Sequence, residues 1–340
     1  MKRRVVVFVS SYPQVSETYI KNEIDALASS FDVEIVSFQP GSFPYRSRRP
    51  HIVATAENQH NVVEYLRRFK PDALHGHYLV QLPNLLGISQ ILGVPFTVRA
   101  HSFDVLGIRT APHERTRADH DALSFIAQAA ASPLFRGVLC FPFMRERMIA
   151  AGMPADRVFA CNPIIDVERF RDRGPNGRAV MNVGAALPKK KMDDFVMLSR
   201  LVPEREFNLY ALGYRSQELE ELNRKHQGRV RFVPPVDPED MPGEYKKHAW
   251  LVYTASPEMA TVGWPMAVVE AMASGVGACM QDIRPDLKQY VGDAGVLFRT
   301  PGELTERLKR DPTPDERERG FAWAEQFDLR KQLPLLTSLW

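Results

Sequence analysis

Apolar residues in this chain gather into short runs separated by stretches with helical spacing, and the alternation repeats from one end to the other. "RRVVVFVSS" holds an unbroken β-branched and aromatic run from Val5 to Val9, the pattern of a strand buried on both faces of a parallel sheet. "SETYIKNEIDALASS" follows, with Ile20, Ile24 and Leu27 at helical spacing and Ser16 placed to cap. "DVEIVSF" predicts a strand, "NVVEYLRRF" a helix, "PDALHGHY" a strand that ends on polar residues, "LPNLLGISQILG" a helix and "VPFTVRAHS" a strand. The pattern continues more weakly through "ALSFIAQAAASP", "GVLCFPF", "RERMIAAG" and "RVFACNPII". Such alternation predicts a doubly wound α/β domain.

Residues 169–178, "RFRDRGPNGR", are polar and rich in glycine, proline and charge, and read as a linker. A second alternating set follows: "AVMNVGA", "FNLYALG", "VRFVPPV" and "WLVYTAS" as strands, with "DDFVMLSRLV", "SQELEELNRKH" and "EYKKHA" as helices. "TVGWPMAVVEAMASGVG" then reads as a loop, a helix whose first residue is Pro265, and a stop at Gly275. "VGACMQD", "IRPDLKQYV" and "AGVLFRT" complete the set, and the tail "FAWAEQFDLRKQLPLLTSLW" is amphipathic and helical up to Pro334. Two similar α/β halves place a ligand at the carboxyl ends of the strands, in a cleft between them.

At 340 residues the chain is long enough for two domains. Hydrophobic residues at 44% and charged residues at 25% exclude disordered and fibrous classes. The net charge of +3 is too small to argue for nucleic acid; it suits an anionic small substrate or weak attraction to an anionic membrane surface. The cysteines, Cys140, Cys161 and Cys279, have no CxxC or Cys/His ligand spacing, so a reducing cytoplasm is expected, without a disulfide framework or a zinc site. "MKRRVVVFVSSYP" mimics a signal peptide, but its apolar run is too short, and no run has the length of a membrane span. GxSxG, GxxxxGK[ST] and kinase signatures are absent from the sequence.

"YPQVSETYIKNEIDAL", "DALHGHY", "LGVPFTVRAHSFDVL", "GMPADRV", "IIDVERF", "VGAALPKKK" and "GWPMAVVEAMASGV" stand in an order and spacing that resemble the retaining glycosyltransferases of the GT-B fold, in particular glycosyltransferase family 4. The resemblance covers nearly the whole chain. It implies an α/β protein of two Rossmann-like domains facing across a cleft. Residues 1–170 would form the acceptor domain and 177–318 the nucleotide-sugar donor domain, with a tail helix over about 319–333 crossing back so that 319–340 joins the first. The implied activity moves a sugar from a nucleotide-sugar to a saccharide, lipid-linked or metabolite acceptor, with retention and without metal or cofactor. The expected location is the cytoplasm, with peripheral contact at the inner membrane face left open.

The resemblance also assigns residues. Glu270 matches the second glutamate of the family's pair, which holds ribose hydroxyls; a carboxylate accepts two hydrogen bonds from a vicinal diol. The first glutamate would stand at Val262, which cannot accept a hydrogen bond, so either the donor sugar is held differently, or Glu258 reaches in from the preceding loop, or activity is reduced or lost. Gly263 and Trp264 offer amides at the helix mouth, where oxyanions bind, although Trp264 suits a packing role equally. Gly184 and Lys190 match the diphosphate-gripping stretch, whose arginine is Ala185 here, with Lys189 or Lys191 available to share the load. The plainer alternatives are a solvated basic turn for the lysines and a surface glutamate for Glu270.

His101, at the end of a strand, matches a histidine that contacts the donor sugar near its reacting carbon, and Asp104 would orient that loop or bind a hydroxyl. His75 and His77 alternate across a strand end, so only one is expected to face the cleft, and His77 with Tyr78 is preferred; no carboxylate or cysteine is expected to complete a metal set. Ser16, Glu17 and Thr18, at a helix start, would meet the acceptor or the diphosphate, or form a simple cap. Two other classes compete: a nucleotide-sugar epimerase, which needs acid and base carboxylates in the cleft, and a catalytically silent GT-B protein acting as a binding partner, for which Val262 and Ala185 speak.

Overall fold

The computed structural model describes residues 2–14, 16–42, 46–106, 121–213 and 215–340. Val15, inside one of the quoted motifs, lies outside them. The chain divides into a first unit, Met1–Ile164 with Leu329–Trp340, and a second, Ile165–Asp328.

The first unit is built on a parallel sheet of seven strands: β1 (Arg4–Tyr12), β2 (Asp32–Pro40), β3 (Ile52–Val53), β4 (Ala73–His77), β5 (Phe96–Arg99), β6 (Phe135–Cys140) and β7 (Val158–Ala160). Their order is β3-β2-β1-β4-β5-β6-β7. The uninterrupted apolar run of β1 is explained by its two neighbours and two covered faces. Val6 and Phe8 enter one apolar cluster, and Val5, Val7 and Val9 enter the other. That second cluster contains Ile20, Ile24 and Leu27 of the helix Thr18–Ser30, together with Leu336 of the helix Leu329–Thr337.

The carboxyl terminus therefore returns to the first unit. Leu333, Leu335, Leu339 and Trp340 pack against the same cluster, and the Trp340 ring stands edge-on to Phe31 at 5.5 Å. The tail helix expected over about 319–333 is two helices. Pro314–Ala324 belongs to the second unit and opens with a capping box between Thr313 and Glu316; Leu329–Thr337 continues through Pro334. The break is a turn, Glu325–Phe327, whose Phe327 ring is buried against Tyr290.

The second unit has six parallel strands: β8 (Ala179–Ala185), β9 (Phe207–Leu212), β10 (Val230–Phe232), β11 (His248–Tyr253), β12 (Gly277–Gln281) and β13 (Val296–Phe298), in the order β10-β9-β8-β11-β12-β13. Both sheets thus reverse their winding once, between β1 and β4 and between β8 and β11. In open α/β sheets the carboxyl ends of those strands are where ligands bind. The helix expected over "EYKKHA" is Met241–Tyr245, with Pro242 in its first turn, while His248 and Ala249 already belong to β11.

Residues 169–178 read as a linker, but Arg169 and Phe170 close the helix Val167–Phe170 and the rest is pinned to the second unit. Lys246 donates to the carbonyls of Asp172 (2.9 Å) and Gly174 (2.8 Å), and Asn176 donates to those of His248 (3.1 Å) and Ser274 (3.2 Å). Among the described residues no helix is long and apolar enough to cross a membrane.

Candidate functional site

In the second unit, β8 ends at Gly184 and Ala185, and a short turn, Pro188–Lys190, follows. The turn is tied to the segment after β11: Thr254 Oγ1 donates to the Lys190 carbonyl (2.7 Å), and the Ser256 amide donates to that of Lys189 (2.9 Å). Lys189 and Lys190 therefore stand at the point where the winding of this sheet reverses. The Lys190 ammonium lies 5.2 Å from the Tyr253 ring centroid, and Gly184, at φ +140°, leaves it room. Lys191 pairs with Asp194 at 3.4 Å, but Lys189 and Lys190 have no carboxylate partner among the described residues. Burial lowers both to about 8, and at Lys189 the Lys190 charge adds to that effect. Two half-buried amines without a counter-charge form a place for an anion.

The helix after β11 runs Met266–Ala273. Pro265 is its N-cap residue in an extended conformation, φ −76° and ψ 126°, rather than its first helical residue. Because proline brings no side-chain acceptor, the mouth has no side-chain cap. Glu270, in the second turn, is buried and accepts a hydrogen bond from the Tyr245 hydroxyl at 2.8 Å. Burial raises its pKa, while the Tyr245 bond and the Arg169 charge pull the other way. Its second carboxylate oxygen accepts no hydrogen bond from the described residues.

The loop before this helix is held from behind. Arg284 donates to both oxygens of Asp286 (2.8 and 3.0 Å) and to the carbonyls of Ala260 (2.9 Å) and Val262. Trp264 is buried: its ring stacks on Tyr290 at 4.9 Å, and its Nε1–H donates to Asp286 at 2.9 Å. The Trp264 side chain is thus a packing element. Val262 is buried, whereas Glu258 is exposed and accepts from the Ser256 hydroxyl at 2.7 Å, a bond that lowers its pKa.

In the first unit β4 and the end of β5 gather a polar cluster with Glu23 of the first helix. His75 and His77 are two residues apart on β4, so the pleat puts both on one face. The expectation that only one would face the site mistook this spacing, and both rings are fully buried against Glu23. His75 Nε2 lies 2.9 Å and His77 Nε2 3.8 Å from Glu23 Oε1, and Arg99 Nε donates to Oε2 at 2.6 Å. Burial alone would raise the Glu23 pKa. The Arg99 charge, then the two imidazoles, outweigh it and hold the carboxyl far below its usual range. His77 Nδ1 meets His101 Nε2 at 3.2 Å, and the His101 ring packs against Tyr78 (4.4 Å) and Tyr19 (4.8 Å).

Asp104 accepts the His101 amide at 2.8 Å, so it fixes the loop that carries His101; burial lifts its pKa to about 7. Ser16 is exposed and does not cap. The N-cap residue is Glu17, without a side-chain cap bond, because its carboxylate instead accepts from the Tyr78 hydroxyl at 2.6 Å. Tyr78, at φ +75°, also meets Tyr19 hydroxyl to hydroxyl, and Thr18 is the first residue of the helix.

Glu23 and Arg99 were absent from the sequence expectations. Both left a signal: Glu23 is a charge on the apolar stripe of Ile20, Ile24 and Leu27, and Arg99 closes a strand that is otherwise buried. Glu23 also supplies the carboxylate thought missing from a metal set, since donor atoms of Glu23, His75 and His77 lie within 4.8 Å of one another. The Arg99 guanidinium already neutralises that carboxylate, however, and a divalent ion would repel it at close range in a low-dielectric interior.

Residues 177–310 match the family model for glycosyl transferases group 1. In structure the chain is similar to HepE of Anabaena, solved with UDP and glucose, at 16% identity and a TM-score of 0.76 over 98% of this chain and 99% of that one. It is similar to sucrose-phosphate synthase of Thermosynechococcus elongatus, at 15% identity and a TM-score of 0.69 over 99% and 98%. It is also similar to WaaG, a glycosyltransferase involved in lipopolysaccharide biosynthesis, at 13% identity and a TM-score of 0.71 over 98% and 99%. No curated protein matches the chain in sequence.

Proposed function

We propose, from the match of residues 177–310 to the glycosyl transferases group 1 model and a fold shared with GT-B glycosyltransferases, that the protein transfers a sugar from a nucleoside diphosphate donor to a hydroxyl acceptor with retention of configuration. One observation carries the reading: Lys189 and Lys190, without counter-charge, stand at the winding reversal of the matched unit, where a diphosphate would bind.

In this reading Lys190 and the amides of Gly263 and Trp264 at the uncapped helix mouth hold the diphosphate. Glu270 uses its free oxygen to hold the ribose diol. The bond from the anomeric carbon to the phosphate oxygen breaks, and the acceptor oxygen attacks on the same face. The acceptor proton passes to the departing diphosphate, so no metal and no carboxylate base is required. Positive charge on Lys190 and the helix dipole stabilise the leaving group. His101 meets the donor sugar near its reacting carbon, and Glu17, with Tyr19 and Tyr78, borders the acceptor. A lipid-linked acceptor would draw the protein to the inner face of a membrane. Val262 and Ala185, replacing the family's glutamate and arginine, favour a second reading in which the protein binds the nucleotide-sugar and does not turn it over.

Calorimetry with UDP and UDP-glucose, then UDP release with saccharide and lipid-linked acceptors, tests both readings. UDP binding with acceptor-dependent release supports the transferase, and binding without release supports the silent protein. If neither UDP, GDP nor ADP binds, both readings are wrong.

A further inference from the structure

The buried charge of Glu23 faces a row of histidines whose proton positions it can set. His75 Nδ1 contacts Thr97 Oγ1 at 2.8 Å, and Thr97 Oγ1 also accepts the indole N–H of Trp340 at 3.0 Å. His75 Nε2 lies 2.9 Å from the charged Glu23 Oε1, which favours the His75 proton on Nε2; the Thr97 hydroxyl, which accepts from the indole, then donates to His75 Nδ1. His77 Nε2 faces the same oxygen at 3.8 Å. Burial keeps His77 and His101 neutral at pH 7, so each ring has one proton to place. At 3.8 Å this contact is not a hydrogen bond, but the Glu23 charge favours an N–H over a bare lone pair on the near nitrogen of His77. With that proton on Nε2, His77 Nδ1 is an acceptor. The 3.2 Å contact then requires His101 to donate from Nε2. His101 Nδ1, which has no partner among the described residues, is left with a lone pair.

We infer that Glu23 and His77 are positioning residues that hold His101 as its Nε2–H tautomer, so that His101 Nδ1 presents a hydrogen-bond acceptor to the substrate hydroxyl it meets. This rests on the reading that His101 faces the substrate; the proton order itself does not.

The test uses the full chain labelled with ¹⁵N-histidine, without substrate, and assigns ring nitrogens by loss of signals in His77→Gln and His101→Gln. His101 in the wild type is expected to show a protonated Nε2 and a bare Nδ1, and His77 a protonated Nε2. The opposite tautomer at His101 overturns the inference, whatever the activity assays give. So does zinc purified with the protein in equimolar amount, since a metal on the Nε2 atoms would displace these protons. Glu23→Gln keeps the shape and removes the charge. It is expected to give His101 a detectable Nδ1–H population, and an unchanged tautomer in a folded variant overturns the role of Glu23. His77→Gln, whose amide oxygen can still accept from His101, is expected to retain the tautomer, and His77→Leu to lose it. On a transferase, His77→Leu is expected to lower kcat about tenfold or more with the KM for nucleotide-sugar within about twofold.

Discussion

The ammonium of Lys190 stands in the space a side chain on Gly184 would take: a Cβ there would lie 2.1 Å from Nζ. Gly184 also holds a φ of +140°, which other residues adopt only with strain. Gly184→Ala is therefore expected to cost ~1–3 kcal/mol of stability and to displace the cation. Chemical denaturation reads the first effect. UDP titration reads the second, as weaker binding than in the wild type.

Removal of the cation should separate binding from stability. Lys190→Ala is expected to weaken UDP binding by ~1.5–3 kcal/mol, the usual loss for a charge-assisted hydrogen bond. Its Tm should stay level or rise, because a half-buried ammonium without a counter-charge disfavours the fold. A fall in Tm together with unchanged UDP binding would remove Lys190 from the site.

Glu270→Ala should weaken UDP binding by at least ~1.5 kcal/mol. The ribose assignment makes a sharper demand. Against 2′-deoxy-UDP the wild type should bind less tightly than against UDP, and the variant should no longer distinguish the two. Equal discrimination by both proteins would mean that Glu270 serves only as the acceptor for Tyr245.

Stability should fall as the pH drops below 6.5. Burial holds His77 at about 3 and His248 at about 4, so the unfolded chain takes up protons in this range that the folded chain refuses. Each group then lowers unfolding free energy by up to ~1.4 kcal/mol per pH unit between its two pKa values. Asp104 acts in the opposite sense, because its folded pKa of about 7 makes the native state bind the extra proton as the pH falls from there toward 3.8. His101 is held neutral in the same way, so three histidines oppose Asp104. Glu17 and Glu270, which burial also raises, join Asp104 toward the acid end. Urea midpoints should therefore decline from pH 6.5 to pH 5, and more steeply in Asp104→Asn.

Trp264→Phe keeps a ring to stack on Tyr290 and loses the N–H to Asp286. A hydrogen bond to a charged group is typically worth ~1.5–3 kcal/mol, and thermal unfolding should show a loss of that order. UDP affinity should change less than about twofold if only the backbone amide of Trp264 meets the ligand.

Among the residues expected to carry chemistry, those with a local signature were legible. Gly184 and Lys190 occupy one strand end and the turn behind it, and Glu270 lies a turn into its helix, so spacing along the chain places all three. Residues whose role depends on remote partners were not. The Trp264 ring is committed to Tyr290 and Asp286, more than twenty positions away, and the N-cap residue Glu17 makes no cap bond because its carboxylate accepts from Tyr78. Reading His75 and His77 as opposed was an error of period, since side chains two apart share a face.

The sequence by itself determined the two doubly wound sheets and their division into similar halves, because apolar runs and helical spacing follow from burial along one segment at a time; the return of the tail was implied only by the family resemblance. It also marked the basic turn and the proline-led helix. Only the tertiary structure decided that Glu23, Arg99, His75, His77 and His101 form one buried cluster. Strand order sets neighbours in a parallel sheet, and here it joins β4 and β5, whose histidines and arginine lie more than twenty positions apart, to one glutamate on the first helix. A buried charge is tolerated only with its partners in place, and no local pattern in the chain names them.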